Sequence, residues 1–370
     1  MKGLYIHIPY CRSKCPYCDF YSAGFDETLS GGYCSALIDE IKTNRRTAGF
    51  TGTADLSFDT IYFGGGTPSV IGGERIGKII EAAKEYYSIS ENPEITVECN
   101  PSTVDEDFFK MIESYGANRI SLGLQSAVDA ERRALGRLAD KNQVRTAVQG
   151  AKKSGIENIS LDLMLGVPNQ TIQSLDESIG FCIDAGVTHI SAYMLTIEEN
   201  TVFFKRREKL KLPDEDTVCE MYLHTIERLE SSGFHQYEIS NFAKKGYESR
   251  HNLKYWNCEE YLGLGPSSHS FIKGKRFYFP RSTADFMNGK AAVFDDVGGS
   301  EEEYIILKLR LSDGLSGSEY KGRFGRNIPE KTIKKALAFE KQGLMKVTDD
   351  HISLTRNGFL VSNYVISEII

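Results

Sequence analysis

Three cysteines near the start of the chain limit what it can become more than any other feature. In Tyr5-Ile-His-Ile-Pro-Tyr-Cys11-Arg-Ser-Lys-Cys15-Pro-Tyr-Cys18-Asp-Phe they follow a short apolar run, at C-x3-C-x2-C spacing. Iron–sulfur clusters are held by cysteine thiolates, as a rule four of them. A loop that supplies three leaves one iron of a four-iron cluster open to a small chelating molecule. The other reading is a structural zinc ion, with Asp19, His7 or a remote residue as fourth ligand. Zinc motifs usually pair two C-x2-C knuckles, and this chain has one. In either case Cys11, Cys15 and Cys18 must bind as thiolates.

The other five cysteines, Cys34, Cys99, Cys182, Cys219 and Cys258, are scattered and form no disulfide framework. That points to a reducing compartment, the cytoplasm. A motif that begins at Cys11 leaves no room for a cleaved signal peptide, and no apolar run is long enough to span a bilayer. A net charge of -7 argues against nucleic acid as the main partner, since phosphate binding needs a basic surface. With 370 residues there is room for one large domain and a smaller one.

Strand and helix alternate six times. Leu4 to Pro9, Asp59 to Phe63, Glu94 to Glu98, Arg119 to Leu124, Ile159 to Met164 and His189 to Tyr193 read as strands. Helical spacing fills the gaps: about Thr28 to Thr47, Gly73 to Tyr87, Asp105 to Tyr115, Asp129 to Leu138, Asn142 to Ser154 and Thr171 to Ala185. This pattern predicts a parallel sheet covered by helices, its strands buried on both faces. An open sheet and a partial barrel both satisfy it. The unusual polar groups, Cys11, Gly65, Glu98, Gln125 and Asp162, all fall at strand ends, the face where α/β barrels gather their sites. After Tyr193 the pattern breaks. Glu198 to Pro213 reads as a charged connection and Asp214 to Ser231 as an amphipathic helix, and the chain then turns aromatic and irregular to Phe271. From Glu301 a smaller module follows: helices near Glu303–Leu311 and Pro329–Gln342, a hairpin turning at Asp349-Asp350, and a last helix. It resembles a winged helix but its charges nearly balance, which suits packing rather than DNA reading.

The cysteine motif is that of the radical S-adenosylmethionine (SAM) proteins, and the chain resembles them. In such a protein the amino and carboxylate groups of SAM chelate the open iron. Gly64-Gly65-Gly66-Thr67-Pro68, after the second strand, lets a backbone approach a ligand closely and is expected to meet the methionyl part. Charge matching assigns Glu98 to the ammonium and Arg137 to the carboxylate. Tyr17 can pack on the adenine. His251, in His251-Asn-Leu-Lys-Tyr-Trp256, sits among aromatic residues. It reads either as an axial heme ligand or as a hydrogen-bonded histidine in a mixed core; His269 has less support, and Cys258 reads as a buried small hydrophobe.

Taken together, Leu4-Tyr-Ile-His-Ile-Pro, Tyr62-Phe-Gly-Gly-Gly-Thr-Pro-Ser, Ser121-Leu-Gly-Leu-Gln-Ser, Leu161-Asp-Leu-Met-Leu-Gly-Val-Pro and His189-Ile-Ser-Ala-Tyr resemble the coproporphyrinogen oxidase-like family. The His251 motif resembles that family's heme-chaperone branch. The resemblance implies a partial (β/α)6 TIM-type barrel over residues 1–235, with a smaller α+β domain over 236–370. It implies a 4Fe-4S cluster, and SAM contacts at Tyr5, Tyr17, Gly65, Gly66, Thr67, Glu98, Gln125, Arg137, Asp162 and Met194. It also implies heme, with His251 the candidate residue, and an acceptor protein to receive it. An exposed heme-bearing surface offers a face on which two chains can pair. The alternative is an oxygen-independent coproporphyrinogen III oxidase-like enzyme. That oxidase carries a further cysteine where this chain has Phe20, and a long extension ahead of its cluster motif, where this chain has ten residues.

Overall fold

A computed structural model describes residues 1–52, 56–137 and 139–370. The expected end of one helix, Leu138, lies outside them. Six parallel strands form the centre: β1 (Lys2–Ile8), β2 (Ser57–Gly65), β3 (Ser88–Cys99), β4 (Arg119–Gln125), β5 (Asn158–Leu165) and β6 (His189–Met194), paired in that order. All six were legible; β3 starts at Ser88, well ahead of the expected Glu94, and the others lie close to their expected bounds. The helices α1 (Glu27–Thr43), α2 (Gly73–Tyr86), α3 (Glu106–Ser114), α4 (Lys141–Lys153), α5 (Ile172–Asp184) and α6 (Glu215–Glu230) cover one face, neighbours packing on one another. All but α2 start at a side chain that accepts an otherwise unpaired backbone N–H: Asp26, Asp105, Asp140, Thr171 and Asp214. Asp140 and Thr171 make full capping boxes.

The strands are not apolar on both faces, as the Ile, Val and Leu content suggested. They alternate. Leu4, Ile6, Ile61, Phe63, Ile95, Val97, Ile120, Leu122, Ile159 and Leu161 are buried in the hydrophobic core. Each contributes about 1.5–3 kcal/mol through burial. The intervening residues are polar yet also buried: Thr60, Thr96, Arg119, Ser121, Ser160, His189 and Ser191. Side chains alternate across a strand, so this second set shares the other face. Arg119, Ser121 and Ser191 of this set line one cavity together with the half-buried Asp162. The inner wall is therefore a polar chamber rather than a packed core.

Residues 235–297 are not irregular. β7 (His235–Glu238) and β8 (Asn241–Ala243) extend the sheet beyond β6 with antiparallel pairing. At the other edge β9 (Tyr261–Leu264) runs parallel to β1, and β10 (His269–Ile272), β11 (Lys275–Tyr278) and β12 (Val293–Val297) follow antiparallel. The result is one twelve-stranded mixed sheet. These added strands are three to five residues long, too short to show a period between their glycine and serine turns. The charged connection after β6 contains a short helix, Val202–Arg206. In the C-terminal module the expected helices are Glu301–Lys308, Glu330–Glu340 and Ser362–Ile369, and the expected hairpin is Met345–Val347 with His351–Leu354; a strand Leu315–Ser316, which makes the sheet three-stranded, and a helix Gly317–Phe324 are additions that the sequence reading did not contain.

Candidate metal centre and adjoining cavity

The cysteine loop leaves β1 and is fastened at both ends. Tyr10-Cys11 pairs with Ala23-Gly24; the Ala23 N–H donates to Pro9 O at 2.7 Å and Phe25 N–H to Cys11 O at 2.9 Å. The glycine turn after β2 clips the same segment from the side. Gly66 N–H donates to Ile8 O at 2.9 Å and Thr67 N–H to Tyr10 O at 2.7 Å. A Cβ on Gly66 would lie 2.6 Å from the Tyr10 carbonyl oxygen, so only glycine permits this approach. Gly65 has φ +113°, a left-handed value that glycine alone adopts freely. Farther along the loop, Phe203 N–H donates to Pro16 O at 3.0 Å, and the Tyr17 ring meets Phe203 edge-on, 6.1 Å between centroids.

All three thiols of the loop are free and line one cavity of about 390 Å³. Thr67 Oγ1 donates to Cys11 Sγ at 3.5 Å and Arg137 Nη1 to Cys15 Sγ at 3.7 Å. Burial first, and then Cys15 and Cys11, raise the Cys18 thiol. Among the described residues no group of three or more His, Cys, Asp or Glu is gathered to hold a single metal ion. Zinc draws its sulfurs to within about 2.3 Å of itself, whereas the thiolates of a four-iron cluster each bind a separate iron. The donors aimed at Cys11 and Cys15 suit thiolates in such a cluster, whose properties depend on hydrogen bonds to sulfur.

The cavity also gathers most of the other residues singled out in the sequence: Tyr17, Gly65, Gly66, Thr67, Glu98, Gln125, Arg137 and Asp162. Register explains their convergence. Glu98 stands opposite Ser121, Gly123 opposite Asp162, and Asp162 opposite Ser191, across β3 to β6. Tyr62 Oη donates to Glu98 Oε1 at 2.8 Å and Ser121 Oγ to Asp162 Oδ1 at 3.0 Å. Burial raises both carboxyls, Glu98 to about 7 with further help from Asp162. Arg137 is locked beside them, Nη2 donating to Gly123 O at 3.1 Å. A Cβ on Gly123 would stand 2.0 Å from that Nη2, so the glycine makes room for the guanidinium. Gln125 bends into the cavity at φ +67°, where the β4–β5 register shifts. Such strain in a non-glycine residue is characteristic of ligand sites.

The sequence reading passed over Arg119, Ser121, Tyr193 and Asn252, which line the same cavity. Arg119 is 2 % exposed and its Nε has no partner among the described residues. A buried arginine at the start of a strand was the signal available. Met194 is 39 % exposed and does not line the cavity; its neighbour Tyr193 takes that place. Tyr5 lies in an adjoining cleft instead, its Oη hydrogen-bonded to His7 Nδ1 at 3.2 Å.

His251 is elsewhere. It sits on a short helix, Arg250–Trp256, fully buried beneath Tyr62, with ring centroids 5.1 Å apart. Nδ1 is hydrogen-bonded to Thr60 Oγ1 and Nε2 to Tyr255 Oη, both at 2.8 Å. Burial, then Lys254, lowers its pKa to about 3. The imidazole is neutral with both nitrogens engaged, so in this arrangement neither is open to a heme iron. This is the hydrogen-bonded histidine of a mixed core that the sequence left as the other reading.

Comparison with known proteins agrees with this geometry. Residues 5–182 match the radical SAM superfamily, and residues 302–361 match the HemN C-terminal domain. A heme chaperone HemW of Bacillus subtilis is 35% identical, covering 99% of this chain and 98% of its own. The heme chaperone HemW of Escherichia coli is 32% identical, with 98% and 96% covered. Among solved structures, coproporphyrinogen III oxidase (HemN) from Escherichia coli, a radical SAM enzyme, superposes with a TM-score of 0.83 at 20% identity, covering 99% of this chain and 89% of that one; this likeness concerns the fold. With full-length relatives at this identity and a shared radical SAM architecture, the chain belongs to the HemW family of radical SAM proteins.

Proposed function

We propose that this protein carries heme to an acceptor protein in the cytoplasm, and that it holds a 4Fe-4S cluster through Cys11, Cys15 and Cys18 with SAM in the cavity beside it. The observation that carries the cofactor reading is convergence: three free thiols, the Gly65–Thr67 turn, the half-buried carboxyls of Glu98 and Asp162 and the guanidinium groups of Arg119 and Arg137 meet in a single cavity. When bound, the cluster and SAM supply one-electron chemistry at a carbon–sulfur bond. The chain's own residues bind and orient. Thr67 and Arg137 donate to ligand sulfurs; Glu98 accepts from the SAM amino group; Arg137 also faces its carboxylate; Asp162 accepts from ribose hydroxyls; Gly65 and Gly66 let the backbone close on the methionyl part; and Tyr17 covers the adenine.

Heme as cargo is favoured by the full-length relatives named as heme chaperones and by Phe20, which stands where the oxidase has a further cysteine. The test uses anaerobically reconstituted protein, titrated with heme with and without SAM, then offered coproporphyrinogen III, SAM and a strong reductant. The expected result is stoichiometric heme binding with the porphyrinogen left intact. Decarboxylated product over multiple turnovers removes the chaperone reading and favours the oxidase-like enzyme.

A further inference from the structure

A second cleft, of about 470 Å³, adjoins the cysteine cavity and shares Phe20, Gly65 and Glu98 with it. Its walls are aromatic: Phe20, Tyr21, Tyr255 and Tyr261. Phe20 directly follows the cluster motif and is 71% exposed, an unusual place for a large apolar ring unless something covers it. Two histidines line the cleft. His7 is not available, because Nδ1 is bonded to Tyr5 Oη and Nε2 to Tyr21 O. His269 is different. On β10 its ring lies over Tyr278, 5.4 Å between centroids, and its Nδ1 is 3.8 Å from the Asp295 carboxylate on β12. At that distance the carboxylate accepts no direct hydrogen bond from the ring, but its charge favours the Nδ1–H tautomer and so leaves the lone pair on Nε2. No partner engages Nε2 among the described residues. Burial lowers the His269 pKa, with the Asp295 carboxylate opposing it. Arg281 also lines the cleft, and its Nη2 donates to Asp19 O at 2.7 Å.

We infer that this cleft seats an iron porphyrin, with His269 Nε2 as the axial ligand to iron and the Arg281 guanidinium on a propionate. The inference rests on the heme-carrying reading and assigns it a place and a ligand. A neutral imidazole discriminates by metal: an iron porphyrin gains a bond there that a porphyrinogen cannot make. The Asp19 and Glu98 carboxylates also line the cleft, and the hydroxyls of its tyrosines are already engaged. Tyr255 Oη bonds His251, Tyr261 Oη accepts from Arg276, and Tyr21 Oη bonds Thr283. Arg281 adds a mechanical link. It braces Asp19, the residue after Cys18, so one guanidinium serves both the porphyrin edge and the cluster loop.

The test uses the reconstituted full chain with heme and, separately, metal-free protoporphyrin IX. His269→Gly is expected to shift the Soret band and weaken heme binding by roughly tenfold or more, at least the effect of losing a residue that merely supports a ligand. Added imidazole should restore the band by occupying the vacated space. Metal-free protoporphyrin affinity and iron and sulfide content should stay as in the unsubstituted chain. Arg281→Gln should weaken both porphyrins without moving the heme band. A wild-type Soret band and affinity in His269→Gly, or a loss that imidazole does not restore, overturns the assignment. An unsubstituted chain with no heme affinity instead overturns the heme-carrying reading beneath it.

Discussion

Gly66→Ala tests how the cysteine loop is held. The new Cβ would lie 2.6 Å from the Tyr10 carbonyl oxygen and 3.0 Å from Tyr10 C and N, all backbone atoms that cannot rotate away. Ordinary contact begins at 3.4 Å, so relief needs about 0.8 Å of separation between the two segments. The clips between them are short, Gly66 N–H to Ile8 O at 2.9 Å and Thr67 N–H to Tyr10 O at 2.7 Å. Stretched by that amount they reach about 3.5–3.7 Å, past a useful hydrogen bond. Losing both costs about 1 kcal/mol each, and overpacking adds about 1–3 kcal/mol, for about 3–5 kcal/mol in all. The displaced segment carries Cys11, and Thr67 takes its hydroxyl away from the Cys11 sulfur. After anaerobic reconstitution, Gly66→Ala should hold markedly less iron and sulfide per chain and melt several degrees lower. Gly180→Ala, on a helix with no heavy atom within 4 Å of the new Cβ, is the control and should retain both. Full iron content and an unchanged melting temperature in Gly66→Ala would refute the account of the cradle.

Glu98 sets a pH dependence. Its folded pKa is raised by burial from 4.5 to about 7, so the folded chain takes up a proton across that window and loses stability as pH rises through it. The full loss is about 3 kcal/mol. Glu98→Gln should remove that slope from denaturation midpoints measured between about pH 5 and pH 8, and SAM affinity, which should fall in the unsubstituted chain below about pH 7 as Glu98 protonates, should become weak and flat; identical slopes in both proteins would count against this. Gly123→Ala drives a methyl into Arg137 Nη2, and should weaken SAM binding in calorimetry while the fold, by circular dichroism, persists. His251→Ala strands Thr60 and Tyr255 without their partner. It should cost about 2–4 kcal/mol of stability even without heme, read as a lower melting temperature of the heme-free protein.

The central sheet and the cluster loop were legible because their signals are local. Strand and helix periods need only neighbouring residues, and C-x3-C-x2-C with a following Gly-Gly-Gly-Thr-Pro states its chemistry in a few positions. What stayed hidden depends on partners distant in sequence. β9 to β12 are strands because β1 offers them an edge, which no window of sequence reveals. Gly123 looks like an ordinary strand glycine until Arg137 is seen pressed against it. His251 read either as a ligand or as a core histidine because its neighbours are aromatic; only the fold shows Thr60, from 191 residues away, holding one nitrogen. The polar inner face was obscured for a related reason. Ile, Val and Leu dominate the strands by number, and the alternate Thr, Ser and Arg gain meaning only when the sheet wraps them around a shared cavity.

The most direct measurement is electron paramagnetic resonance of the anaerobically reduced protein before and after SAM is added. A cluster held by Cys11, Cys15 and Cys18, with one iron open, gives a reduced-cluster signal that changes shape when SAM binds, and no signal once all three cysteines are alanine. A spectrum indifferent to SAM, or iron and SAM affinity that survive the triple substitution, would contradict the account.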